Sequence, residues 1–232
     1  KDFHEFVEWF NETHNGEIDE HMAESATEEK LGHVIVDGET ILVDENGVIS
    51  SAVIPSGALT NKNLLHNWDF TNPVNQRGLS EYISDSTTGF YTIDRWYLNW
   101  NNDSVAVDSA NKNIAITAVA GGRRFCQKIE KLKAGTYTFS ADVISATGDW
   151  RLYCNGTAKP LITSATTGII STTFTVADDT DNFVIGLQSS GASTLTLKSV
   201  KLELGSVSTL ANDPPADYQE QLSLCKPIIS TV

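Results

Sequence analysis

The sequence predicts a mainly β protein: an antiparallel β-sandwich over residues 62–232, preceded by a helical stem and a small β connector. Two observations carry this reading. Short strand-like runs recur at 97–100, 105–107, 114–119, 125–130, 136–143, 150–154, 169–176, 183–187 and 194–204, with turn residues between them and no helical pattern interleaved. Thr, Ser, Val, Ile and Gly dominate this half, and β-branched side chains suit a pleated, half-buried surface.

Within 135–143, Tyr137, Phe139, Ala141 and Val143 alternate with Thr136, Thr138, Ser140 and Asp142, which predicts one face in the core and one in solvent. Asp217, followed three residues later by Glu220, predicts a capped short helix through Leu224, and Pro227 stops it.

Residues 1–30 are charged and patterned as helix. Phe3, Phe6, Val7 and Phe10 fall at helical spacing, and Ile18, Met22 and Ala26 lie four apart. So thin a stripe has no partner within the segment, and helices this short are marginal alone in water. Packing against further copies of itself resolves this, so a homotrimeric, coiled-coil-like stem is expected. In residues 31–61 short apolar runs end at Asp37-Gly38 and Asn46-Gly47, dipeptides that favour tight hairpin turns. A meander of that size cannot bury a core by itself, so the connector is also expected to interleave among copies.

The formal net charge of −14 makes nucleic acid and anionic membrane surfaces poor partners. No run approaches the roughly 18 apolar residues that a membrane span needs, and no basic-then-apolar leader is expected in the chain as it stands. Cys126, Cys154 and Cys225 are odd in number and widely spaced, which fits neither a disulfide framework nor a zinc site. Reduced, buried thiols are expected; the spacing alone leaves a Cys126–Cys154 pairing open.

Residues 29–50, Glu-Lys-Leu-Gly-His-Val-Ile-Val-Asp-Gly running on into Val-Asp-Glu-Asn-Gly-Val-Ile-Ser, resemble a linker found in tail proteins of phages and prophages of Gram-positive bacteria. Asn63–Phe70, Asn75–Gly78, Tyr91–Trp96, Gly135–Ser140 and Lys201–Gly205 together resemble the jelly-roll modules of carbohydrate-binding proteins and phage tail fibres. The resemblance implies a viral tail-associated receptor-binding or host-adhesion protein. It would be located in the virion tail, assembled in the bacterial host cytoplasm, and partnered by other tail proteins and a bacterial cell-wall or surface polysaccharide. It also raises a structural calcium, for which Asp69, Asp142 and Glu203 are donors by type, although no loop has diagnostic ligand spacing. No other cofactor is expected.

No catalytic constellation emerges. With 30 acidic residues any carboxylate pair can be nominated, so a glycosidase signal has no specificity. A Gly-x-Ser-x-Gly elbow is absent, and His4, His14, His21, His33 and His66 all lie at or before the start of the main domain. The chain is therefore expected not to be an enzyme.

Sugar recognition needs aromatic faces with planar polar groups beside them. Alternation turns Trp96, Leu98 and Trp100 inward, with Trp150, Leu152 and Cys154, and with Phe125 and Ile129. It turns Tyr97, Asn99, Arg124, Lys128, Arg151 and Tyr153 outward. Tyr97, Asn99, Arg124, Arg151 and Tyr153 are the predicted ligand-binding residues. Trp150, which follows Gly148-Asp149, joins them if it projects from a loop tip. The competing readings are that this face is merely solvated, in a purely structural fibre, collar or decoration component of the virion, or that the chain degrades glycans.

Overall fold

The structure, a computed structural model, describes residues 60–225 together with His4, Glu5, Trp9, Ile41–Val43 and Ile49–Ser51. The chain divides into two compact units, 1–58 and 59–232. In the first, strands β1 (Ile41–Val43) and β2 (Ile49–Ser51) pair antiparallel with Val43 opposite Ile49. Most of the expected stem and connector, with Phe3, Phe6, Val7, Phe10, His14 and His21, lies outside the described residues.

The second unit is a sandwich of two six-stranded antiparallel sheets. Its strands are β3 (Glu81–Ile83), β4 (Phe90–Tyr91), β5 (Tyr97–Leu98), β6 (Ser104–Asp108), β7 (Asn113–Ala118) and β8 (Arg124–Leu132), then β9 (Gly135–Ala146), β10 (Trp150–Cys154), β11 (Thr157–Ile162), β12 (Gly168–Val176), β13 (Thr180–Ser189) and β14 (Ser193–Leu204). One sheet has the order β12-β9-β14-β7-β6-β3 and the other β11-β10-β13-β8-β5-β4. Consecutive strands stay within a sheet only at β4–β5, β6–β7 and β10–β11; every other connection crosses to the opposite sheet. This is the jelly-roll pattern, in which crossing connections close both sheets over one core.

The core is built from the inward residues of both sheets. Trp96 stacks on Phe125 at 4.7 Å between centroids, and Phe70 meets Trp96 edge-on at 5.5 Å. Trp150 belongs to this core, with 1% of its surface exposed. The loop-tip placement is therefore wrong: the strand alternation that buries Leu152 starts at Trp150 itself.

Trp100 corrects the prediction in the other direction, at 41% exposed. β5 ends at Leu98 and the chain turns through Asn102, which has φ of 64°, so the inward alternation stops before it reaches residue 100. The Arg123 guanidinium lies over the Trp100 ring instead, 4.6 Å from its centroid.

The outer faces of the two sheets differ. Past β14 the chain folds back over the β9–β14 face. Thr138 Oγ1 donates to the Gly205 carbonyl at 2.8 Å, and Ser140 and Ser208 share a hydroxyl bond at 2.7 Å. Thr138 and Ser140, expected in solvent, are buried beneath this segment. Under the same cover lies fully buried Lys201, whose Nζ donates to Thr60 at 2.7 Å and to Thr209 at 2.9 Å and pairs with Asp213. The helix α1 (Tyr218–Cys225) begins at Asp217, whose Oδ1 accepts from the Glu220 N–H at 2.8 Å as predicted for the cap. Gln221 then accepts from the Asn67 N–H at 2.7 Å, tying the helix to the domain's first segment.

Candidate functional site

The sheet β11-β10-β13-β8-β5-β4 has no such covering segment among the described residues. One rung crosses five of its strands: Tyr91 on β4 faces Tyr97 on β5, which faces Cys126 on β8, then Gly186 on β13 and Tyr153 on β10. The next rung places Arg124 on β8 beside Gln188 on β13 and Arg151 on β10. Partners along a rung share a face, so these groups share one side of the sheet.

Neighbouring strands lie about 4.8 Å apart, so Tyr97 and Tyr153 stand roughly 14 Å from one another across β8 and β13. The floor between them is low. Cys126 is 1% exposed, and a Cβ on Gly186 would lie 2.1 Å from the Phe125 carbonyl oxygen. A strand glycine is what so close a backbone approach requires.

Arg124 spans this floor diagonally. Its guanidinium lies over the Tyr153 ring, 4.7 Å from the centroid, and its Nη1 donates to the Tyr153 hydroxyl at 2.8 Å. Asn99 steers the strand end. Its Oδ1 accepts from the Arg124 N–H at 2.6 Å, while its own N–H donates to the Arg124 carbonyl at 3.2 Å. Tyr91 and Tyr97 touch at 5.8 Å between centroids with planes tilted by 56°. Burial, with Cys126 and Tyr91 as neighbours, pushes the Tyr97 phenol far above its ordinary value, so it stays a neutral donor. The Cys126 thiol is pushed up to about 12 by burial.

The structure thus brings together Tyr97, Asn99, Arg124, Arg151 and Tyr153 and excludes Trp150. Sequence reasoning missed Tyr91, Gln188 and the floor formed by Cys126 and Gly186. A glycine inside an apolar strand run was the available signal for the floor. The three cysteines are free, including Cys126 and Cys154. Cys126 shares the outer face with Tyr97, while Cys154 shares the core-facing side with Leu152, so the sheet itself keeps them from pairing.

Of the three calcium donors, Asp69 and Asp142 line one cavity on either side of Ser199, and Glu203 is not among its lining residues. Among the described residues no group of three or more His, Cys, Asp or Glu side chains is placed to hold a metal. Asp69 accepts from Thr71 Oγ1 at 2.6 Å and from the Ala216 N–H at 3.0 Å, which pins two loops. Glu203 accepts from the Thr209 N–H at 2.7 Å and hydroxyl at 2.5 Å, beneath the covering segment. Asp142 is half-buried on β9 opposite Ile169 and Ser199.

Fold and site together define an antiparallel jelly-roll sandwich with one covered sheet and one open sheet that carries tyrosines and cationic groups. Several solved structures are similar to this chain. A module described as CBM4 is 18% identical and covers 48% of this chain and 95% of its own, with a TM-score of 0.37. The CBM22-1 xylan-binding domain from Paenibacillus barcinonensis is 11% identical, covers 65% and 99%, and has a TM-score of 0.40. A mannan-binding module in its bound conformation is 15% identical, covers 43% and 87%, and has a TM-score of 0.30. No family model matches the chain, and no curated protein matches it in sequence.

Proposed function

We propose that this chain is a non-catalytic glycan-binding protein, which holds a bacterial surface polysaccharide on the open sheet face as the receptor-binding component of a viral tail. The observation that carries the reading is the platform itself. Tyr97 and Tyr153 stand on either side of a floor kept low by Gly186, and Arg124 is locked against Tyr153. Tyrosine rings pack against the apolar side of a pyranose, and the phenols, Asn99, Gln188 and the guanidinium groups supply hydrogen bonds for its hydroxyls. On the opposite sheet the segment after β14 already occupies the outer face around Thr138, Ser140 and Thr173.

Placement in a tail, among other virion proteins and as a homotrimer, rests on the residue 29–50 linker and on the self-complementary stripe at Phe3, Phe6, Val7 and Phe10. Three copies per component would raise avidity about a hundredfold or more over a weak single site, with no new contacts. The test is a glycan array probed with the full chain, followed by adsorption of the purified protein to intact bacteria and light scattering for its mass. Binding to at least one surface glycan by a species three times the chain mass is expected. Failure to bind any glycan or cell-wall preparation would favour a purely structural virion component.

A further inference from the structure

We infer that the polysaccharide held on this face is anionic, carrying uronate carboxylates or phosphodiesters; the inference rests on the glycan-binding reading above. The chain as a whole is strongly acidic, at −14, yet the open face gathers cations. Arg124 and Lys128 project from alternate outward positions of β8, and Arg151 projects from β10 one rung from Arg124. At the β4 margin, Arg77 and Arg95 border a cavity of about 360 Å³ that also touches Tyr91 and Lys128.

None of these five cations has a carboxylate partner among the described residues. Arg77 donates to the carbonyls of Tyr91 and Thr92, and Arg95 Nε donates to the Leu224 carbonyl at 3.0 Å. Arg124 is engaged by the neutral Tyr153 hydroxyl, and its Nε has no acceptor. Acidic groups also border the face. Asp149 is exposed two residues before Arg151, and Glu130 sits further along β8. Asp94 has both oxygens taken by Gln76, through the backbone N–H at 2.8 Å and the side-chain amide at 2.7 Å.

Such a cluster costs repulsion while empty and gains charge-assisted hydrogen bonds when an anion arrives, with guanidinium forks matching carboxylate and phosphate geometry. The surrounding negative charge disfavours indiscriminate capture of polyanions. An anionic sugar seated between the tyrosines therefore takes its stacking from Tyr97 and its charge pairing from Arg124, which covers one face of Tyr153, and from Arg151 and Lys128.

The experiment measures retention of four polymers by the immobilised full chain: sodium polygalacturonate, its methyl ester, poly(glycerol phosphate) and neutral mannan. The inference expects one of the two anionic polymers to bind at least about tenfold more tightly than the ester and mannan. That preference should collapse between 50 and 500 mM NaCl and in the double variant Arg151→Gln/Lys128→Gln with unchanged melting. Preference for poly(glycerol phosphate) would assign a phosphodiester, and preference for polygalacturonate a uronate. Equal affinity for the acid and its ester, or binding to mannan alone, would overturn the anionic inference while leaving the glycan-binding reading intact. Retention of none of the four would overturn both.

Discussion

Arg124 and Tyr153, two strands apart in the open sheet, are coupled twice over: the guanidinium covers the ring at 4.7 Å and donates to the hydroxyl at 2.8 Å. The contact crosses Gly186, the one strand position between them where no side chain fits. One interaction thus fixes both an aromatic platform and a cation, which lowers the ordering cost that a ligand would otherwise bear.

Arg124→Lys tests that coupling. A lysine keeps the charge but loses the planar stacking and the fork geometry. Glycan affinity should fall by about 1 kcal/mol, roughly fivefold. Calorimetric melting should move little, because the site is half-exposed. Unchanged affinity would mean that the guanidinium plane plays no part in recognition.

Gly186→Ala should damage both fold and site. The added methyl would sit 2.1 Å from the Phe125 carbonyl and 2.7 Å from the Cys126 Cα, so β13 must shift away from β8. A cost of about 1–3 kcal/mol is expected in urea unfolding. A variant as stable as the parent would show that the two strands separate freely there.

Lys201 anchors the cover over the other sheet. Its ammonium is fully buried, paired with Asp213 and 3.9 Å from Glu203 Oε2. Lys201→Ala strands two carboxylates without their cation, and should cost about 3–5 kcal/mol. Denaturant midpoints measure this directly, and glycan binding by the remaining folded fraction should be unaffected.

His66 gives the fold a pH dependence. Burial, followed by the charges of Arg95 and Lys62, holds its imidazole below the ordinary 6.5. The unfolded chain therefore binds the proton first. The contribution of His66 is complete above 6.5 and is lost as pH falls through the lowered folded value. The melting temperature should drop across that window, and His66→Gln should flatten the drop.

Much of the sandwich was legible because its long strands obey a two-residue period, from Tyr137 through Val143 and from Trp150 through Leu152. The short strands β3 and β4, at three and two residues, are too brief to show a period. β11 carries Pro160, which a central strand would not hold, and it lies at the sheet edge where proline is tolerated. Tyr97, Arg124, Arg151 and Tyr153 were legible as outward residues, but their meeting on two adjacent rungs depends on pairings between β5, β8, β13 and β10, which are separated by tens of residues. The covered face was illegible for the same reason. Nothing local to Lys201 or Glu203 reports that the chain returns over them through Thr209 and Asp213.

The most direct test of the glycan-binding face is to titrate the wild-type full chain and the Tyr97→Ala/Tyr153→Ala variant with the best glycan from the array, after matching their melting curves. Each lost platform should cost about 1–2 kcal/mol, so the double variant should bind roughly thirtyfold or more weakly per site and fail to adsorb to host cells. Equal affinity of the two proteins would contradict the account and place recognition elsewhere on the molecule.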